Sequence, residues 1–359
     1  MRRIRIIATG GTIASQDNGN GLQPTMGPET IVNLAFSEDD EFSTSIRRMV
    51  DSGELCFDIK EIMSVDSSDM RPELWNRIGE EIDRCVRGYS EESTDGYAGV
   101  IILHGTDTMA YTAGALSVMF KNLPIPIILT GSQLPIEAEG TDAKDNLRDA
   151  VKSVLSMADE RNIDSNIQKS IYIAFGGRLI DGRYATKMDT DRFDAFRAVD
   201  SLHETKLNSS DFKMNEEYGS DPAGAGDPTG HEEDNRYTKR DSDNNYLYTE
   251  FSTSKVQLIK VHPGLSPDML EAMLSCNLDA VLLELYGAGG FPSLYDSLLP
   301  VIGDAVGRGT KIYAISQCMY RKTDLTRYEV GRKLLDAGVI SLGSYSTEYA
   351  LAYIMMNGM

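Results

Sequence analysis

Thr12 and Thr106 each sit on a glycine-rich turn directly after a short apolar run. The turns read T-G-G-T-I-A over Thr9–Ala14 and H-G-T-D-T over His104–Thr108. Parallel strands end in such turns, and open α/β sheets place their chemistry at those carboxyl ends. A hydroxyl held there is exposed, with backbone N–H groups nearby to receive a developing oxyanion. The residue types therefore point to a hydroxyl nucleophile, which needs a base or a strong local field at neutral pH. Asp107 supplies a carboxylate beside Thr106, and Lys187, closing R-Y-A-T-K, is a candidate amine. A lysine desolvated in a cleft can accept a proton. Some eighty residues separate Lys187 from Thr106, so spacing alone does not bring them together.

Each feature also has a plainer reading. G-G-T after a strand is more often a phosphate loop or a tight turn, although G-x-G-x-x-G and G-K-[ST] are both missing here. A Thr-Asp pair commonly caps a helix, and a single lysine is usually solvated. Asp66-Ser67-Ser68-Asp69 ahead of Met70-Arg71-Pro72 reads as a turn and helix cap. His104 reads as a satisfied strand-end histidine.

The elements that must carry these residues alternate along the chain. Ile4–Ala8, Phe57–Met63, Gly99–Leu103, Ile125–Thr130 and Ser170–Phe175 read as strands. Helices are expected over Arg71–Arg87, Thr112–Lys121 and Asp142–Ala158, the last with Thr141 or Asp142 as its cap. Continuous apolar runs such as Gly99–Leu103 suit strands buried on both faces. This alternation predicts an α/β fold, with a larger N-terminal doubly wound parallel-type sheet domain over residues 1–203. Residues 204–250 carry 12 acidic and 5 basic side chains around D-P-A-G-A-G-D-P, the composition of an acidic loop or linker. A smaller C-terminal α/β domain is expected over residues 251–359. Its strands are Val256–Val261, Ala280–Leu285 and Lys311–Ser316. Its helices are Ser266–Ser275, Ser293–Arg308, Glu329–Ala337 and Ser346–Met356.

Composition narrows the partners. A chain of 359 residues with 41% hydrophobic and 25% charged residues has room for two ordinary cores. Its formal net charge of −20 argues against nucleic acid or an anionic membrane as partner. The opening M-R-R-I-R-I-I-A-T-G-G has too short an apolar stretch for a secretory signal. The four cysteines form no C-x-x-C, and a cytoplasmic protein with reduced thiols is expected. The four histidines are dispersed, so no metal is expected.

Taken in order, several longer motifs go further. T-G-G-T-I-A, D-S-S-D-M-x-P-x-x-W, H-G-T-D-T-M-A-Y-T and T-G-S-Q-x-P closely resemble the L-asparaginase family. The fit extends through Thr141–Asn146, Asp194-Ala195-Phe196 and His262-Pro263-Gly264 to Gln317-Cys318, covering nearly everything but the acidic stretch. The M-A-Y-T continuation is similar to the cytoplasmic, type I branch. The resemblance implies hydrolysis of L-asparagine to L-aspartate and ammonia through an acyl-enzyme on Thr12. It implies that Thr106, Asp107 and Lys187 manage water and proton. Asp66, Ser67 and Ser68 would hold the substrate α-carboxylate, with Asp107 facing its α-ammonium, while Gly11 and Gly105 leave room for close approach. No cofactor is implied. A homodimer or homotetramer is, with the neighbour's C-terminal domain closing each site.

The motifs also occur in the ammonia-producing subunit of a tRNA-dependent amidotransferase, which usually carries an extra N-terminal domain. A catalytically silent amino-acid-binding paralogue is a third reading. It is motivated by one departure: the loop after the first motif reads Asn20-Gly21-Leu22-Gln23-Pro24, where many members carry a tyrosine. A second departure is Glu284-Leu285-Tyr286-Gly287 in place of an arginine-led effector motif, so activation by asparagine is not to be assumed.

Overall fold

The computed structural model describes residues 1–17, 22–88, 96–158, 170–207, 246–320 and 323–358. Most of the expected acidic linker therefore lies outside the described residues, as do residues 18–21 of the loop after the first motif. The described residues divide into two compact units, each considered by itself. The first holds 1–198, 202–207 and 246–251, and the second holds 199–201, 252–320 and 323–358.

The first unit opens with β1 (Arg2–Gly10), then the short hairpin strands β2 (Ser15–Asp17) and β3 (Leu22–Pro24). Helices α1 (Pro28–Ala35) and α2 (Glu41–Asp51) precede β4 (Leu55–Val65), α3 (Pro72–Arg87) and β5 (Tyr97–Leu103). Next come α4 (Met109–Met119), β6 (Phe120–Lys121), β7 (Ile127–Thr130), α5 (Ala143–Ala158) and β8 (Ile171–Phe175). Five short strands complete the unit: β9 (Arg178–Asp181), β10 (Ala185–Lys187), β11 (Phe196–Ala198), β12 (Glu204–Lys206) and β13 (Leu247–Tyr248).

The main sheet has seven strands in the order β12-β9-β8-β7-β5-β1-β4. From β8 to β4 every pairing is parallel, while β9 and β12 add an antiparallel edge. Burial explains the central strands. Val100, Ile101, Ile102 and Leu103 are all inaccessible or nearly so, because helices cover both faces of a parallel sheet. On one face Ile4, Ile6, Ile101 and Leu103 pack with Leu147, Val151 and Val154 of α5. Each such side chain contributes about 1.5–3 kcal/mol by leaving water. Thr141 lies just ahead of α5, its Oγ1 accepting the N–H of the first helical residue, Ala143, at 3.1 Å.

Two expected helices are shorter than the apolar pattern suggests. The segment expected to be helical to Lys121 leaves the helix after Met119. Phe120 and Lys121 pair with β13 instead, and Phe120 stacks on Tyr248 with ring centroids 4.9 Å apart. That pairing, with the strand Glu204–Lys206, gives defined structure to both flanks of the stretch 204–250. In the second unit the helix expected over Ser293–Arg308 forms only over Leu299–Gly307. Pro300 suits its first turn, and Asp296 ahead of it takes a positive φ of 46°.

The second unit is a four-stranded parallel sheet in the order β14 (Val256–Lys260), β15 (Ala280–Leu285), β16 (Lys311–Ser316), β17 (Ile340–Ser341). Its helices are α6 (Pro267–Leu274), α7 (Leu299–Gly307), α8 (Glu329–Asp336) and α9 (Thr347–Asn357). Ser266 and Ser346 cap α6 and α9, each accepting the N–H of the third helical residue, Met269 and Tyr349. Helices α6 to α8 pack on one face, where Leu270, Ile302 and Leu334 join the core, and α9 brings Ala350 and Ile354 to the other.

Candidate active site

Three strand ends of the first unit meet at one point. A Cβ built on Gly11, after β1, would lie 2.5 Å from both the Cα and the N of Gly105, after β5. One built on Gly105 would lie 2.6 Å from Ser67 Oγ, in the turn after β4. Gly11 also holds a positive φ of 87°, a conformation that favours glycine. Glycines are thus required for the turns carrying Thr12 and Thr106 to touch. Thr108 Oγ1 fastens the third turn by donating to Ser67 O at 2.7 Å.

Beside this junction stands Lys187, brought in by the β10–β11 hairpin. Its Nζ donates to Thr106 Oγ1 at 2.8 Å and to Asp107 Oδ1 at 2.7 Å. The Lys187 side chain is 17% exposed, whereas that of Asp107 is 63% exposed. A largely desolvated amine therefore reaches from the protein to a carboxylate at the water boundary. Thr106 Oγ1 in turn donates to Gln133 Oε1 at 3.4 Å. Opposite Lys187 in the hairpin is Phe196, which packs on Phe175 with ring centroids 4.9 Å apart.

The third turn is built locally. Asp66 Oδ1 accepts the Ser68 N–H at 2.8 Å and caps the short turn Ser67–Asp69. Hydrogen bonds from the Ser68 backbone and hydroxyl hold the Asp66 carboxyl below the usual carboxylate range. Ser67 is buried, and Thr12 is half-buried. The structure thus brings Gly11, Ser67 and Gly105 into contact and unites Thr106, Asp107 and Lys187. Asp66 and Ser68 engage each other.

Gln133 belongs to this group, although residue type alone does not single it out. Its side chain also donates to Thr190 O at 3.0 Å and Arg192 O at 3.2 Å, and its backbone N–H is held by Asp142 at 3.0 Å. The signal lies in T-G-S-Q-x-P, which puts a long amide just past a strand end. Other motif residues are scaffolding. Asn146 Nδ2 donates to Gly131 O and to Asp142, and its Oδ1 accepts the Gly176 N–H, joining the ends of β7 and β8. In the second unit Gln317 Nε2 donates to Val261 O and Glu284 O, tying two strand ends together.

The arrangement suits nucleophilic substitution at a carbonyl. One hydroxyl lies on a glycine turn, a second is hydrogen-bonded to an amine, and a carboxylate stands beside them. Residues 3–218 match the family model for the asparaginase N-terminal domain, and residues 255–357 match the glutaminase/asparaginase C-terminal domain. The chain belongs to the asparaginase family. It is 33% identical to an L-asparaginase of Thermococcus kodakarensis over 353 residues, covering 98% of this chain and 92% of that protein. It is 32% identical to a subunit of the glutamyl-tRNA(Gln) amidotransferase of Pyrococcus furiosus, covering 98% of this chain and 71% of that protein. The solved structure of the thermostable L-asparaginase from Thermococcus kodakarensis superposes with a TM-score of 0.74 at 30% identity. That match covers 99% of this chain and 92% of the other. The asparaginase fold accounts for the mixed sheet and the smaller C-terminal unit alike.

Proposed function

We propose that this chain is an amidohydrolase converting L-asparagine to L-aspartate and ammonia. The observation that carries the reading is the contact of Lys187 with both Thr106 and Asp107, beside the turn bearing Thr12. Similarity to an L-asparaginase along nearly its whole length supports the same substrate class.

In this mechanism Thr12 Oγ attacks the side-chain amide carbon. The C–N bond breaks, the hydroxyl proton leaves with the amide nitrogen as ammonia, and an ester to Thr12 remains. Water positioned by Thr106 then attacks the ester as its proton passes through the Thr106–Lys187 pair to the departing Thr12 oxygen. The ester C–O bond breaks, aspartate departs and the Thr12 hydroxyl is restored. Asp107, at the mouth, faces the substrate α-ammonium, and donors of the Asp66–Ser68 turn receive the α-carboxylate. A zwitterion is recognised by an anion at one end and a donor cluster at the other. The proposal includes a cytoplasmic homo-oligomer, dimer or tetramer, in which the neighbour's C-terminal unit completes the site.

The amidotransferase relatives share these motifs, so the test compares free amides directly. Ammonia release is measured from L-asparagine, L-glutamine and D-asparagine, by the wild type and Thr12→Ala. Rapid release from L-asparagine that the variant loses is the expected result. No release from any amide, with L-asparagine still bound, would replace this reading with a silent binding protein.

A further inference from the structure

Behind the Thr106 turn lies a buried chain of polar groups that the proposed chemistry does not use. His104 is fully inaccessible, as is Thr112 on α4, and Trp75 of α3 is nearly so. His104 Nδ1 is 2.7 Å from the Gly105 carbonyl oxygen, and its Nε2 is 2.9 Å from Thr112 Oγ1. Trp75 Nε1 donates to the same hydroxyl at 3.0 Å.

The chemistry of each group fixes the direction of every bond. A carbonyl oxygen only accepts, so the proton is on Nδ1, and a neutral ring then presents a bare Nε2. Thr112 donates its one hydroxyl proton to Nε2 and accepts from the indole N–H. Every donor in the chain has an acceptor, which is what permits such a group to be buried. Burial holds the His104 pKa down to about 4, so the ring stays neutral at working pH.

What the chain holds is the Gly105 carbonyl, which belongs to the same rigid peptide plane as the Thr106 N–H. The His104 backbone N–H donates to Thr130 O at 2.8 Å, so the ring springs from a residue still anchored to the sheet. Gly105 itself has almost no room, with Gly11 on one side and Ser67 on the other. We infer that His104, held by Thr112 and Trp75, is a positioning residue that sets the Gly105–Thr106 peptide plane and thereby aims the Thr106 hydroxyl at Lys187. This role rests on the amidohydrolase reading.

The test is a pair of substitutions that differ in one donor. In His104→Asn the side-chain amide nitrogen would stand where Nδ1 stands. His104→Gln instead places its polar end near Nε2 and leaves the Gly105 carbonyl without that donor. The steady-state constants for L-asparagine and the melting temperature are measured for both. The expected result for H104Q is a kcat at least about tenfold lower with KM changed far less, the signature of misplaced reacting groups. H104N should recover most of that kcat at a comparable melting temperature. Equal loss in both variants, or full kcat in H104Q, would overturn the inference. If H104Q does not fold, Thr112→Ser against Thr112→Val decides, with turnover retained in the first and reduced in the second; equal turnover would overturn it. Absence of turnover by the wild type sinks the amidohydrolase reading itself, and this inference with it. Wild-type turnover beside an unaffected H104Q sinks only the positioning role.

Discussion

Lys187 Nζ lies 2.8 Å from Thr106 Oγ1 although 81 positions separate the two residues in the chain. The sheet makes that possible. Thr106 follows the central strand β5, and the chain returns through β8, β9 and the β10–β11 hairpin to set Lys187 against it. Replacing Lys187 by methionine keeps most of the packing of the stem and removes the amine. Turnover should fall by about a hundredfold or more, the scale of losing a proton-transfer group. Folding should survive, because Asp107, 63% exposed, stays hydrated when the amine is removed and no buried charge is left unpaired. Steady-state kinetics and a thermal melt on the same sample check both halves; a collapsed melt would make Lys187 structural.

Thr12→Ala should abolish turnover with the melting temperature nearly unchanged. Thr12 is half-buried on a turn whose shape is set by Gly11, not by its own side chain. Substantial residual turnover would move the nucleophile to Thr106.

Gly105→Ala tests the meeting of the three strand ends. Its Cβ would sit 2.6 Å from Ser67 Oγ and 2.7 Å from Ser67 Cβ, so the turns must separate. Overpacking of this kind costs about 1–3 kcal/mol. Activity should be lost well beyond that cost, since displaced turns misalign Thr12 and Thr106. An alanine variant with wild-type kinetics would mean that the close approach is incidental.

Glu81 of α3 is 1% exposed and is met by Arg5, Lys60 and Arg84. Burial alone would raise its carboxyl pKa, but hydrogen bonds from Lys60 and Arg84 and the charge of Arg5 lower it below the ordinary value. A folded-state pKa below the unfolded one stabilises above the unfolded value, near 4.3, and that stability is lost as pH falls through the folded value. Glu81→Gln should therefore be destabilising near pH 7, where it takes a buried carboxylate away from Lys60, Arg84 and Arg5, although Arg5 keeps its pairing with Asp58. The difference from wild type should shrink below about pH 4. Melting temperatures across a pH series from acid to neutral report it, and a pH-independent difference would contradict the assignment.

Asp149 of α5 has the opposite sign. Burial pushes its carboxyl up to about 6, with Asp145 adding to the rise and Lys152 opposing it. A raised folded pKa contributes stability below about pH 4 that is lost as pH rises through about 6. Asp149→Asn should raise stability at about pH 7–8, by about 1–2 kcal/mol after solvent screening, and leave it unchanged near pH 4. Equal melting curves in mildly alkaline buffer would show that the ionised carboxylate is well solvated.

Most of the central architecture is written in local pattern. Fully apolar runs such as Val100–Leu103 can only be buried on both faces, and the spacing of Trp75, Ile78, Ile82 and Val86 admits one helix face. The G-G-T and G-T-D turns mark where strands end, because glycine placement is a local property; the expected exposure of their hydroxyls does not hold for Thr106, which is buried, while Thr12 is half-buried. Helix ends are less legible. Phe120 has the same apolar character in a helix as in a strand, and it is a partner some 127 positions away, Leu247–Tyr248, that draws it into β6. That Lys187, and no other cation described, reaches Thr106, and that Gln133 joins them, emerges only in three dimensions. So does the inward turn of His104 to a threonine that is itself held by an indole. Those choices depend on which strand ends lie side by side in the sheet, and local pattern carries no record of non-local order.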